Sequence, residues 1–357
     1  MAVHFHELTI KEIKRETSEC VSLSFDIPEN LSTDFKFSQG QNITLKALIN
    51  GEDCRRSYSI CSAPYENELR IAIKQVVGGK FSTFANLNLK MGDSLMVMPP
   101  TGKFNTSLNA LNKKNYVAFA AGSGITAILS LIKTTLNTEP QSNFSLVYSN
   151  KNKNSIIFFE EIEALKNQYL HRFNLIHLLS REKTDAPING GRIDKEKLGK
   201  LSALINYKNT DEFFICGPEQ MMICVQDYLK TINVDAARIH CEMFTAPGQV
   251  AVTENIIPVD NSLPKSKISI LLDGRSIDFD LAYGSDTILD AALKQGADLP
   301  FACKGGVCAT CRAKLVSGKI TMKVNYALEP EEVANGFILT CQALPLTNKV
   351  VIDFDVK

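Results

Sequence analysis

Four cysteines near the C-terminal end constrain this chain more than any other feature. Cys303, Cys308 and Cys311 fall in the run C-K-G-G-V-C-A-T-C, a C-x4-C-x2-C spacing, and Cys341 follows thirty residues later. Spaced thiols in a reducing environment point to metal rather than to disulfides. One loop can supply three ligands if its backbone curls around the bound group. Gly305 and Gly306 permit that curl and let backbone N–H groups approach sulfur. Zinc is the competing occupant, but zinc knuckles pair two C-x2-C units and this chain has one. The spacing is that of a [2Fe–2S] cluster, with Cys303, Cys308, Cys311 and Cys341 as the expected ligands. The other cysteines, at 20, 54, 61, 216, 224 and 241, are scattered and read as small core residues.

A chain of 357 residues favours two or three domains. Its formal net charge is zero, which argues against wholesale attraction to nucleic acid or anionic lipid. No run approaches 18 apolar residues and the start lacks a signal-like pattern, so the expectation is a cytoplasmic protein without a membrane partner. Residues 1–108 read as short β-rich segments punctuated by turns such as Asn50-Gly51, which suit an antiparallel β-barrel. Residues 109–245 alternate strand and helix, including a helix over 156–168, and predict an α/β domain with a parallel sheet. Residues 246–266 carry prolines and no helical period and read as a linker. Within 267–357, a hairpin closes at Asp273-Gly274, and D-T-I-L-D-A-A-L-K-Q-G predicts a helix capped by Asp286 and ended by Gly296.

Arg56-Ser57-Tyr58-Ser59 ends a barrel strand, Lys74 lies on the next, and Gly78-Gly79-Lys80-Phe81-Ser82 opens a helix. Here the chain resembles the ferredoxin–NADP reductase family over roughly residues 5 to 245, and its last ninety residues resemble a plant-type ferredoxin, which implies an α+β β-grasp fold. The first resemblance implies FAD. Arg56 would bridge a pyrophosphate, Tyr58 would stack on the isoalloxazine and Ser59 would reach flavin N5, with Ser57 among the cofactor-binding residues. Gly79, Lys80, Phe81 and Ser82 would hold phosphate at a helix start, and Lys74 would complete the site.

Ala120-Ala121-Gly122-Ser123-Gly124-Ile125-Thr126 runs from a strand into a helix, as a nucleotide-binding turn does. The family form is G-x-G-x-x-P, and this chain has Ala127 in place of proline. Cys216-Gly217-Pro218 matches the family's C-G-P motif, which implies that Cys216 aligns the nicotinamide with the flavin; the resemblance also implies that Glu242 and Phe244 approach the flavin from the nicotinamide side, with Phe244 covering the ring. Lys151, Lys153, Ser180 and Arg181 bring cations where a 2′-phosphate would lie, which favours NADPH over NADH.

A reductase module followed by a ferredoxin module resembles the reductase components of bacterial oxygenases, and within them the phenylacetyl-CoA epoxidase reductases. The resemblance implies an electron path from NADPH through FAD and the cluster to a separate oxygenase. The chain has no di-iron carboxylate set of its own. A reductase for another ring- or steroid-hydroxylating oxygenase, or a passive carrier or redox sensor, remains the alternative.

Overall fold

In the computed structural model, which describes residues 4–244 and 264–356, the β-rich runs of the first hundred residues form one six-stranded sheet. Its elements are β1 (His6–Thr17), β2 (Cys20–Asp26), β3 (Asn42–Ile49), β4 (Glu52–Ser59), β5 (Leu69–Lys74), helix α1 (Lys80–Leu87) and β6 (Ser94–Val97). The strand order is β4-β3-β6-β1-β2-β5. A bridge between Ile60 and Ile71 ties the far ends of that order together, so the sheet closes as a barrel. Leu8, Leu23, Ile43, Leu45, Ile71 and Ile73 fill it. The Asn50-Gly51 turn has positive φ at both residues, 52° and 80°, as a tight hairpin between β3 and β4 requires.

The α/β elements follow: β7 (Asn115–Ala121), α2 (Ile125–Thr138), β8 (Asn143–Asn150), α3 (Phe159–Gln168), β9 (Phe173–Leu179), α4 (Lys195–Leu201), β10 (Glu212–Cys216), α5 (Glu219–Thr231) and β11 (Ile239–Glu242). Their sheet is parallel, in the order β11-β10-β7-β8-β9. The chain winds one way from β7 and the other way through β10, so the switch point lies between those two strands, where such sheets bind nucleotides. Helix α3 begins three residues later than the expected 156, because Ile156, Ile157 and Phe158 turn into the core instead and Phe158 takes a left-handed φ of 61°.

Barrel and parallel sheet belong to one compact unit, residues 6–54 with 58–243. Helix α2 lies between them, and its Ile125, Ile128 and Ile132 share a core with Cys20, Cys61 and Ala72 of the barrel. Ion pairs reinforce that seam. Glu161 accepts from Arg70 Nη2 at 2.7 and 2.9 Å and from Lys133 Nζ at 2.7 Å, and Lys133 also pairs with Glu66 at 2.5 Å.

The second unit is built on 264–356. Its elements are β12 (Lys265–Leu272), β13 (Arg275–Ala282), α6 (Ile288–Lys294), β14 (Arg312–Ser317), β15 (Ile320–Met322), α7 (Pro330–Ala334), β16 (Phe337–Leu339), β17 (Ala343–Pro345) and β18 (Lys349–Asp353). A five-stranded mixed sheet, β13-β12-β18-β14-β16, packs against α6, and β15 pairs with β17. Strand β12 begins at Lys265, two residues inside the expected linker; the rest of that linker, 246–263, lies outside the described residues. The cap of α6 also differs from expectation. Thr287, not Asp286, accepts the Asp290 N–H, while Asp286 pairs with Lys294 at 2.7 Å. The shorter threonine side chain closes the first turn from the position directly before the helix. No helix among the described residues is long and apolar enough to cross a membrane.

Candidate functional site

The cysteine loop joins α6 to β14. Its curl rests on Lys304, Gly306 and Ala309, with φ of 51°, 77° and 53°; Gly305 is not left-handed, so two non-glycine residues take the strain expected of the glycine pair. The distant cysteine arrives through sheet register. Arg312 pairs with Leu339 across β14 and β16, and the ladder's continuation sets Thr340 N–H on the Cys311 carbonyl at 3.2 Å, with Cys341 next in the chain.

The four thiols stand as two pairs, Cys303 with Cys308 and Cys311 with Cys341, each joined by an S–H···S contact. The Cys303 thiol donates to Cys308 and pulls its pKa down to about 5 against the opposing effect of burial. Gly305 N–H reaches Cys303 Sγ at 3.3 Å and Gln342 Nε2 reaches Cys341 Sγ at 3.5 Å. Amides of Val307, Thr310 and Gly306 approach Cys303, Cys308 and Cys341. Two ligand pairs ringed by N–H donors fit two sulfide-bridged irons, each taking two thiolates.

On the barrel side, Ser59 is buried at the end of β4, Tyr58 packs 5.7 Å from Phe81, and half-buried Ser57 precedes them. Arg56 is exposed, with Nη1 donating to the Arg55 carbonyl at 2.7 Å. Gly79 has no room for a side chain, since a Cβ there would stand 2.6 Å from Ser82 Oγ. Phe81 lies in the barrel core at 1% exposure. Ser82 Oγ accepts Val76 N–H at 3.0 Å and donates to the Gly79 carbonyl at 3.3 Å, so the hydroxyl builds the turn. What the turn offers an anion is the first amides of α1. Lys80 pairs with Glu52 at the surface. Lys74 Nζ lies 3.7 Å from where a Cβ on Gly122 would stand, a meeting of barrel and nucleotide turn that the sequence did not signal.

The nucleotide turn and the C-G-P motif meet at the switch point. Ala120 and Cys216 are register partners, and a Cβ on Gly124 would stand 2.1 Å from the Cys216 carbonyl oxygen. Gly217 is less tight: a Cβ built on it would meet the flexible Met221 Cε at 2.6 Å and Ala121 Cβ at 3.1 Å, and Pro218 precedes α5. Glycine at 124 and 217 lets the two strand ends touch. Ser123 is half-buried, but the side chains of Ile125 and Thr126 point inward, and Thr126 Oγ1 donates to the Ser123 carbonyl at 3.0 Å. Their side chains pack behind the turn, and only their backbone is offered to a ligand. Ala127, the departure from the family proline, is fully buried.

The strands beyond β7 gather the cations. Ser180 N–H and Arg181 N–H continue the ladder onto the carbonyls of Asn150 and Lys151 at 2.9 and 2.8 Å. Lys151, Lys153 and Arg181 are exposed there. An acid also enters, because Lys153 N–H donates to Glu182 Oε2 at 2.7 Å.

At the other side of the switch point, Glu242 is the register partner of Cys216. Glu242 is half-buried as a residue, but its carboxyl is enclosed and burial pushes its pKa up to about 7, with the Ser59 hydrogen bond of 2.9 Å pulling the other way. Burial first, then the Glu242 charge, pushes the Cys216 thiol well above its ordinary value, so Cys216 is a neutral, packed side chain. Phe244 follows β11 and is 42% exposed.

Three domain families match the chain: an oxidoreductase FAD-binding domain over residues 7–106, an oxidoreductase NAD-binding domain over 119–227 and a 2Fe-2S iron-sulfur cluster binding domain over 270–346. The chain is 44% identical over 354 residues to a component of the 1,2-phenylacetyl-CoA epoxidase of Escherichia coli (strain K12), covering 99% of this chain and 98% of that protein. It is 30% identical over 353 residues to the ferredoxin reductase component of 3-ketosteroid-9-alpha-monooxygenase from Rhodococcus rhodochrous, covering 97% and 96%. The fold is similar to that of phthalate dioxygenase reductase, described as a modular structure for electron transfer from pyridine nucleotides to [2Fe-2S], with a TM-score of 0.59 at 20% identity and 98% of each chain covered. The chain therefore belongs to the family of electron-transfer reductase components of oxygenases that join an FAD-binding, a pyridine-nucleotide-binding and a [2Fe–2S] domain.

Proposed function

We propose that the chain is a cytoplasmic reductase that takes electrons from NADPH, passes them through FAD to the [2Fe–2S] centre, and delivers them to a separate di-iron oxygenase that epoxidises phenylacetyl-CoA. The observation that carries this reading is the 44% identity to the Escherichia coli epoxidase component across nearly the whole of both chains. A bound flavin supplies the conversion of a two-electron hydride into the single electrons that a [2Fe–2S] centre accepts.

The chain's own groups position and gate that chemistry. Tyr58 and Lys74 would lie on the flavin side, the amides around Gly79 to Ser82 would hold its phosphates, and Arg56 and Ser57, next to Tyr58 in the chain, are assigned to the flavin by the family motif. Gly122 to Thr126 and Cys216 to Pro218 form the two lips of the nucleotide cleft. Ser59 and Glu242 hold a proton at the buried carboxyl, and neutral Cys216 packs beside it. Phe244, the residue two beyond Glu242 and exposed, would by the family motif cover a bound flavin ring. Lys151, Lys153, Ser180 and Arg181 favour a 2′-phosphate, and Glu182 is held by the Lys153 amide.

The 30% identity to a steroid-hydroxylase reductase component over a similar span supports a second reading, in which the acceptor is another oxygenase. Anaerobic titration with NADPH and then NADH, followed by absorbance and EPR, tests the carrier order and the nucleotide. Mixing the reduced chain with purified phenylacetyl-CoA epoxidase oxygenase tests the partner. Faster reduction by NADH, or no transfer to that oxygenase, would overturn the respective part.

A further inference from the structure

Tyr148 lies on β8, fully buried, opposite Ala120 of β7. A buried phenol needs an acceptor for its O–H, and this one donates to the Gly122 carbonyl at 2.9 Å. Burial pushes its pKa well above the ordinary value, so it remains a donor throughout the working pH range.

Gly122 opens the nucleotide turn with a φ of 53°. Its carbonyl also accepts the Ile125 N–H, so two bonds hold it from the protein side. In a trans peptide the C=O and the next N–H point in opposite directions. A carbonyl drawn towards the buried tyrosine therefore turns the Ser123 N–H outward. That amide is one of the first in the helical segment, where no helical acceptor exists. The Lys74 ammonium approaches the same glycine from the barrel.

We propose that Tyr148 is a positioning residue of the pyridine-nucleotide site: its buried hydroxyl sets the Gly122–Ser123 peptide so that the Ser123 N–H, beside Lys74, faces a phosphate of the dinucleotide. This rests on the reading that the turn at 120–126 binds the nucleotide, and it adds a residue outside the turn that gives the turn its orientation.

The test is Tyr148→Phe in the full, FAD- and cluster-loaded chain, with ADP-ribose or its 2′-phosphate as the binding probe. The Kd of the probe and the KM of the nicotinamide nucleotide should each rise about fivefold, the scale of one hydrogen bond. FAD content, cluster absorbance and kcat with ferricyanide at saturation should match wild type. Ser123→Pro deletes the N–H at a position where proline suits a helix start; it should raise the same constants, and adding Tyr148→Phe to it should raise them no further. An unchanged probe Kd in Tyr148→Phe would overturn the proposal. So would loss of FAD or of kcat, because the hydroxyl would then be supporting the fold. If the wild-type chain bound neither probe, the reading of the turn itself would fall.

Discussion

Ser59 and Glu242 lie 183 positions apart in sequence, and Ser59 Oγ donates to Glu242 Oε2 at 2.9 Å. One residue ends a barrel strand and the other ends the edge strand of the parallel sheet. This hydrogen bond links the end of the barrel to the end of the parallel sheet within one compact unit. Its acceptor is a carboxyl that burial has pushed up to about pKa 7.

That carboxyl makes stability fall as pH rises. Below about pH 4.5 both folded and unfolded states are protonated; between that and about 7 only the folded state keeps the proton. Wild type should therefore lose up to about 3 kcal/mol relative to Glu242→Gln across that window, and no more above it. Thermal midpoints of the pair, measured from pH 4 to 8, check the slope. Because the Ser59 bond favours the charged form, Ser59→Ala should move the apparent pKa of NAD(P)H–ferricyanide turnover upward.

Cys308→Ser should abolish the visible absorbance of the cluster and transfer to the oxygenase, since each iron needs both thiolates of its pair. FAD binding and direct dye reduction should persist, because Tyr58, Ser59 and the turn at Gly79 belong to the other compact unit. Absorbance spectra and ferricyanide assays of the purified variant measure both. Loss of FAD as well would refute the modular reading.

Gly124→Ala places a Cβ 2.1 Å from the Cys216 carbonyl oxygen, so the two strand ends must part. The cost should be about 1–3 kcal/mol. KM for the nicotinamide nucleotide should rise with it, because both lips of the cleft move. Denaturant titration and steady-state kinetics separate the two effects.

Glu161 holds Arg70 and Lys133 together at the seam between barrel and parallel sheet, and these cations outweigh burial to keep its carboxyl below the ordinary value. Glu161→Gln removes the carboxylate they share, while Lys133 keeps Glu66 and Arg70 keeps Glu68, and should cost about 1–3 kcal/mol. The wild-type contribution is present above the unfolded carboxylate pKa and disappears as acid protonates the group. The difference in stability between the two proteins should accordingly shrink below about pH 4.

Arg181→Ala should raise KM for NADPH about tenfold and leave KM for NADH unchanged, since only the former carries a 2′-phosphate for the guanidinium. Equal changes for both nucleotides would remove the case for NADPH.

Much of this was legible in the chain itself. Local chemistry dictated the Asn50-Gly51 and Asp273-Gly274 hairpins, the strand–turn–helix at Gly122 and the cysteine loop, because each depends on residues adjacent in sequence. All four thiols were readable as ligands from their spacing, Cys303, Cys308 and Cys311 within one loop and Cys341 thirty residues on. What required the tertiary structure was every pairing between distant segments. The β14–β16 register brings Cys341 to Cys311, the Gly124–Cys216 approach joins two motifs more than ninety residues apart, and Tyr148 crosses from β8 to the Gly122 carbonyl. The inward turns of Phe81, Ser82, Ile125 and Thr126 belong here too. A motif names residues but not the face each presents, and that face is set by what the finished core must bury and which backbone groups its turns must satisfy.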